Sequence, residues 1–235
     1  MRQALVTGNT PDIVLRLWER FNYFLYNILA FYLKNNIDVK QLDELMSELN
    51  SVLLERHSPI LDKLQKGLNS ITTRKLLGSF NITNDKLVTL FGWRNGVKDM
   101  YNGSKIEEFE LFPEAIMLSL KEAINHYKVS IEQKLWEGGL FPMFSNGGGD
   151  YLLFDCNKNS VSYEVVLLYA PSLLLNEKPE SIYDSIENLI QTVINCFNQK
   201  AYKFDVKGLM DVDYDLKYKI STKLNPNSSY WDEYR

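Results

Sequence analysis

The sequence predicts an α+β fold: a single domain with an N-terminal helical extension. Three observations carry that expectation. Apolar residues recur every three or four positions in roughly the first 90 residues and again over 181–198, which is the spacing of one helix face. Short apolar runs between those regions are separated by turns rich in Asn and Gly. No internal repeat and no long linker divides the 235 residues.

Taken in order, Thr10 and Pro11 read as a helix cap followed by Pro at the first helical position. Val14, Leu17, Trp18, Phe21, Phe24, Leu25, Ile28 and Tyr32 then share a face, and Asn35-Asn36 ends the helix. Its apolar stretch over 21–33 falls short of the ~20 residues a membrane span needs, so a core helix is expected. A second helix is read from Leu42, Leu45, Leu49, Val52 and Leu53; Ser58-Pro59 interrupts it, and Ile60, Leu61, Leu64 and Leu68 resume it. Thr83 opens a short helix that buries Leu87, Leu90 and Phe91 and stops at Asn95-Gly96.

In the centre the period changes. Residues 106–112 alternate charged and apolar side chains like a half-buried strand. Ser119-Leu120-Lys121-Glu122 is a capping box, so a helix is expected from there toward Tyr127. Residues 140–144 read as a strand whose Pro142 lies near an edge or an end. The turn 145–150 follows. Residues 151–156 and 163–169 then form a hairpin through Asn157-Lys158-Asn159-Ser160. A long amphipathic helix is read over 181–198.

Composition excludes several classes. Hydrophobic residues are 45% and charged residues 24%, with 12 Gly and 7 Pro, which rules out fibrous, low-complexity and disordered chains. A domain of this length buries roughly 70% of its unfolded surface without staples. Cys156 and Cys196 are too few for a disulfide framework or a four-Cys zinc site and are expected to be buried thiols. His57 and His126 have no second ligand at a metal-binding interval. Residues 1–8 carry no apolar run, so no signal peptide is expected. The chain reads as cytoplasmic, with no metal and no cofactor.

Charge is uneven. The net charge is −4, but residues 1–104 carry +3 and residues 105–190 carry −8. An acidic middle repels phosphate, so no direct nucleic-acid ligand is expected there. It favours a basic partner and speeds the encounter; a merely solvated acidic surface is the alternative.

Candidate catalytic motifs fail on inspection. After Gly147-Gly148-Gly149 comes Asp150, not the Lys of a phosphate loop, and the chain continues as a strand rather than a helix. A tight turn is the expectation. Asp150 and Asp155 are five residues apart on a strand, hence on opposite faces. Ser145 is in no nucleophile elbow, and neither histidine has triad companions. The many aromatics fall at core spacing rather than forming a base-stacking platform.

Three segments together resemble the SUKH superfamily, which groups a fungal cell-wall-synthesis regulator with many bacterial toxin-immunity proteins. The first is Trp93-Arg94-Asn95-Gly96 and the second is Leu118-Ser119-Leu120-Lys121-Glu122-Ala123. The third runs Leu140-Phe141-Pro142-Met143-Phe144-Ser145-Asn146-Gly147-Gly148-Gly149-Asp150-Tyr151. The helix read from Ser181 and the late Asn225-Pro226-Asn227-Ser228 to Trp231 are also similar to bacterial members. Residues 79–83 depart from the family's Leu-Pro element, and the helix over 10–33 lies outside its core.

The resemblance implies a domain over 45–200, with 1–44 as the extension and 201–235 as a tail. It implies a mixed or antiparallel sheet packed by helices, no catalytic residue, and binding of a protein partner, in bacterial members a toxin. In that reading Glu107, Glu108, Glu110, Glu132 and Glu137 face a basic toxin domain, with Trp136 as an aromatic anchor. Trp93, Asn95, Gly96, Pro142, Gly147, Gly148, Gly149 and Asp150 are expected to shape turns. A regulatory interaction module with a different partner, or an enzyme with an unrecognised site, are the competing readings.

Overall fold

Short polar side chains start most of the helices. The computed structural model describes residues 41–98, 105–171 and 178–234, together with Trp18, Arg20, Phe21, Tyr23 and Leu25. The chain divides into Met1–Lys40 and Gln41–Arg235. In the first unit the five described residues are helical and exposed. Trp18, Phe21 and Leu25, read from sequence as a core stripe, are therefore not buried. Val14, Leu17, Phe24, Ile28, Tyr32 and the Thr10-Pro11 cap lie outside the described residues.

The second unit is an α+β domain. A helix, α1, covers residues 41–55 and buries Leu42, Leu45, Met46, Leu49, Val52 and Leu53. A 3-10 turn Pro59–Asp62 leads to β1 (Leu64–Lys66), then α2 (Ser70–Gly78), α3 (Asp85–Trp93) and β2 (Arg94–Val97). A second 3-10 turn, Ile106–Phe109, precedes β3 (Ile116–Met117) and α4 (Leu120–Gln133). Next come β4 (Leu140–Ser145), β5 (Tyr151–Asp155), β6 (Val166–Tyr169), β7 (Glu180–Tyr183) and α5 (Ile186–Asn198). The chain finishes with β8 (Tyr202–Phe204), β9 (Met210–Val212), α6 (Tyr214–Leu224) and a 3-10 turn Ser229–Tyr234. Asn69, Asn84, Ser119, Ser185 and Asp213 each accept a backbone N–H of the following first turn, satisfying donors that a helix start leaves orphaned.

The main sheet is antiparallel throughout, in the order β3-β4-β5-β6-β7. Pairs β1-β2 and β8-β9 form separate ribbons. Alternation gives β5 two apolar faces. Leu152 and Phe154 join the large core with Phe91, Phe141, Phe144, Leu189, Ile190 and Val193, while Leu153 joins Trp136, Leu167 and Tyr169 on the other side. Seven buried apolar side chains of α5 anchor it to that core, and each large one contributes roughly 1.5–3 kcal/mol. Pro142 pairs with Leu153 at a register irregularity and lies beyond the end of the two-residue β3, so its missing N–H breaks no ladder there.

Several expectations change. In place of a strand over 106–112, Ile106–Phe109 form a 3-10 turn and irregular chain follows to a single bridge at Phe112, because Glu108 folds back to accept the Lys105 N–H and Lys63 Nζ while Phe109, Leu111 and Phe112 turn inward. The stretch after Ser58-Pro59 becomes a turn and β1 instead of a resumed helix. The α3 cap is Asn84, one residue after Thr83. The helix read from 181 begins at Ile186, since residues 180–183 pair with β6 and Ser185 supplies the cap. Helix α2 had no clear periodic signal.

Residues 201–234 are integral to this unit. Helix α6 packs on α5, and Trp231 is buried with Nε1 donating to Ile182 O at 2.6 Å. Ser228 Oγ donates to Ser181 O at 2.8 Å, so the closing turn runs along β7, the outermost strand.

Candidate partner-binding surface

The three segments that carry the family resemblance interlock. Asn95 Oδ1 accepts the Leu120 N–H at 2.9 Å, so the first segment caps the helix that the second begins. Gly96 has φ +75, and a Cβ there would stand 2.2 Å from Ser119 N, so only glycine permits this approach. Leu118 N donates to Met143 O of the third segment. Ser119 and Glu122 close the capping box in both directions, at 3.3 Å from Glu122 N to Ser119 Oγ and 2.9 Å from Ser119 N to Glu122 Oε2.

The glycine turn after β4 is built by side chains. Asn146 Oδ1 accepts the N–H groups of Gly148 and Asp150, and Asn146 Nδ2 donates to Asp150 Oδ2 at 2.7 Å. A Cβ on Gly147 (φ +74) would meet Ile106 at 2.3 Å. Asp150 is thus a turn residue. Asp155 is 1% exposed and accepts from Asn157 N and Ser162 Oγ, which shapes the β5–β6 loop.

Helix α4 runs between two surfaces. Beside its first turn a groove of about 650 Å³ is lined by Ile106, Ser119, Glu122, His126, Ser145 and Tyr151. Tyr151 Oη lies 3.1 Å from His126 Nδ1. Desolvation lowers the His126 pKa, against a raising influence of Glu122. Past its last turn a cleft of about 1000 Å³ opens on the second face of the sheet, among Trp136, Glu137, Leu140, Asp155, Leu167 and Tyr169.

The six residues expected to face a partner fall at these two places. Glu107, Glu108 and Glu110 lie on or next to the 3-10 turn whose Ile106 enters the groove. Glu132 and Glu137 lie at the far end of α4. With 14 residues, α4 itself is ~20 Å long. Glu107, Glu132 and Glu137 are exposed. Glu108 is paired with Lys63 at 2.9 Å, and this hydrogen bond above all holds its carboxyl below the usual range. Glu110 is half-buried; desolvation raises its pKa against a hydrogen bond from the Glu114 backbone, and the charges of Glu114 and Glu107 add to the rise.

Trp136 is no anchor. It is 5% exposed and packs edge-on against Tyr151 and Tyr169, because it must cover the second face of the sheet.

Two features were missed from the sequence. Lys86 is buried on α3, with Nζ 2.9 Å from Glu187 Oε1 and 3.0 Å from Glu164 Oε2, while Asn84 Nδ2 also donates to Glu164. Lys217 lines a small aromatic cavity next to α6. Among the described residues no group of three or more His, Cys, Asp and Glu is placed to hold a metal ion, and no helix is long and apolar enough to cross a membrane. Compared with known proteins, the chain matches no family model and no curated sequence.

Proposed function

We propose that this chain is a non-catalytic, cytoplasmic protein-binding domain of SUKH type, an immunity protein that neutralises a cognate basic toxin domain, often a nuclease. The observation that carries this reading is the exposure of Glu107, Glu132 and Glu137 around α4, within a segment of net charge −8. Carboxylates so arranged would lie over the Lys and Arg residues with which a nuclease binds phosphate, accelerating association and blocking substrate. The interlocked segments at Asn95, Gly96, Ser119 and Gly147 support the family reading, because they act as one scaffold holding α4 against β4.

The test is co-expression with the toxin domain encoded beside its gene. Cell survival and a stoichiometric complex are the expected result. No protection and no complex would refute the immunity reading and favour a regulatory module with another partner. The triple variant Glu107→Lys, Glu132→Lys, Glu137→Lys should slow association about tenfold or more at low salt. A complex that ignores this charge reversal would overturn the electrostatic account alone.

A further inference from the structure

Between α6, the turn at 112–115 and the outer strands of the sheet lies a cavity of about 200 Å³, room for roughly six or seven waters at ~30 Å³ each. Its walls include the aromatic side chains of Tyr151, Tyr183, Tyr214, Tyr218 and Trp231. Lys217 also lines it, with Nζ 5.4 Å from the centre of the Tyr214 ring. Among the described residues no carboxylate stands at ion-pair distance from Lys217. Desolvation lowers the pKa of this amine, against the raising influence of Glu114, Cys196 and Glu110.

Two carboxylates touch the same cavity. Glu114 is exposed, where water screens it, and Asp150 is engaged by Asn146 Nδ2. Lys217 is the one cationic side chain among the described residues that line the cavity, and so the group there that can pair with an anion. An aliphatic or purely inorganic anion would leave those rings unmatched.

We propose that this cavity binds a small one-ring aromatic carboxylate, its ring among the tyrosines and its carboxylate on Lys217. This site stands apart from the toxin-binding reading. Aromatic walls with a few convergent polar groups recur in small-molecule sites.

Calorimetric titration of the full chain with benzoate, benzamide, cyclohexanecarboxylate and benzylamine tests it. Benzoate should bind once per chain, at least about tenfold more tightly than each of the other three. Lys217→Met should remove that preference, whereas Lys203→Met on the β8–β9 ribbon should keep it. Equal binding of benzoate and benzamide, unchanged benzoate binding by a folded Lys217→Met, or no heat with millimolar benzoate would each overturn the proposal. The ligand series on the unaltered chain decides the matter even where Lys217→Met fails to fold.

Discussion

Replacing Lys86 with Met isolates the strongest buried electrostatic feature of the domain. The Lys86 side chain is 8% exposed, with Glu187 and Glu164 oxygens at 2.9 and 3.0 Å. At such distances each attraction is about 5 kcal/mol for an effective dielectric constant near 20, before desolvation is subtracted. The net worth of the cluster is far smaller than that gross figure. Breaking it is still severe, because methionine leaves two carboxylates facing each other with little water. Removing one partner of a buried pair costs roughly 3–5 kcal/mol.

Urea unfolding followed by circular dichroism reads this directly. With a slope near 2–3 kcal/mol per molar, the midpoint should fall by about 1–2 M. The triple variant Lys86→Met, Glu164→Gln, Glu187→Gln should recover much of the loss, since neutral amides remove the repulsion. A Lys86→Met variant within about 1 kcal/mol of the parent, or a triple variant weaker still, would refute the reasoning. Alkaline pH adds a second check. Desolvation pulls the Lys86 pKa down, but Glu187 and Glu164 more than offset it, so the folded value lies above the ordinary one. The stabilisation is therefore complete below the unfolded pKa near ~10.4 and fades as pH rises through the folded one. The gap between parent and Lys86→Met should narrow over that same window.

Gly96→Ala should cost about 2–5 kcal/mol in the same assay, combining a left-handed backbone with a clash against Ser119; Gly78→Ala, at the end of α2 with nothing near its Cβ, should change stability by no more than ~1 kcal/mol. Trp231→Ala should cost roughly 3–5 kcal/mol and speed amide exchange in β7, because the indole fills the core and donates to Ile182 O. Burial pushes the Cys196 thiol up to about 11 and the Cys156 thiol higher, so neither should react with a disulfide reagent at neutral pH until the chain is unfolded.

Local chemistry was legible in the sequence and distant partnership was not. The capping box at Ser119 and Glu122 and the strand at 140–145 could be read because each signal lies within a few residues. Helix α2 could not, since Ile71, Thr72 and Thr73 are poor helix formers and a single Asn69 cap starts it. Ile182, Ile186, Leu189 and Ile190 keep one apolar spacing across a strand and a helix, which hid the break at residues 184–185. At the candidate surface, Glu107, Glu132 and Glu137 are exposed, whereas Trp136 was misjudged because the sheet face it covers is assembled from residues 153, 167 and 169. Lys86 carried no signal of its own in the sequence, because Glu187 is 101 residues away along the chain.

The closing turn over β7 has a consequence for assembly. An uncovered outer strand offers its free carbonyls and amides as a template on which another chain can pair. Here Ser181 O and Ile182 O are already taken by Ser228 and Trp231. At the other margin β3 is only two residues long, so it offers almost no template. A partner that recognises this domain therefore has to read its side chains rather than extend its sheet, and shortening the chain before residue 228 would bare β7 as a template for strand-to-strand stacking.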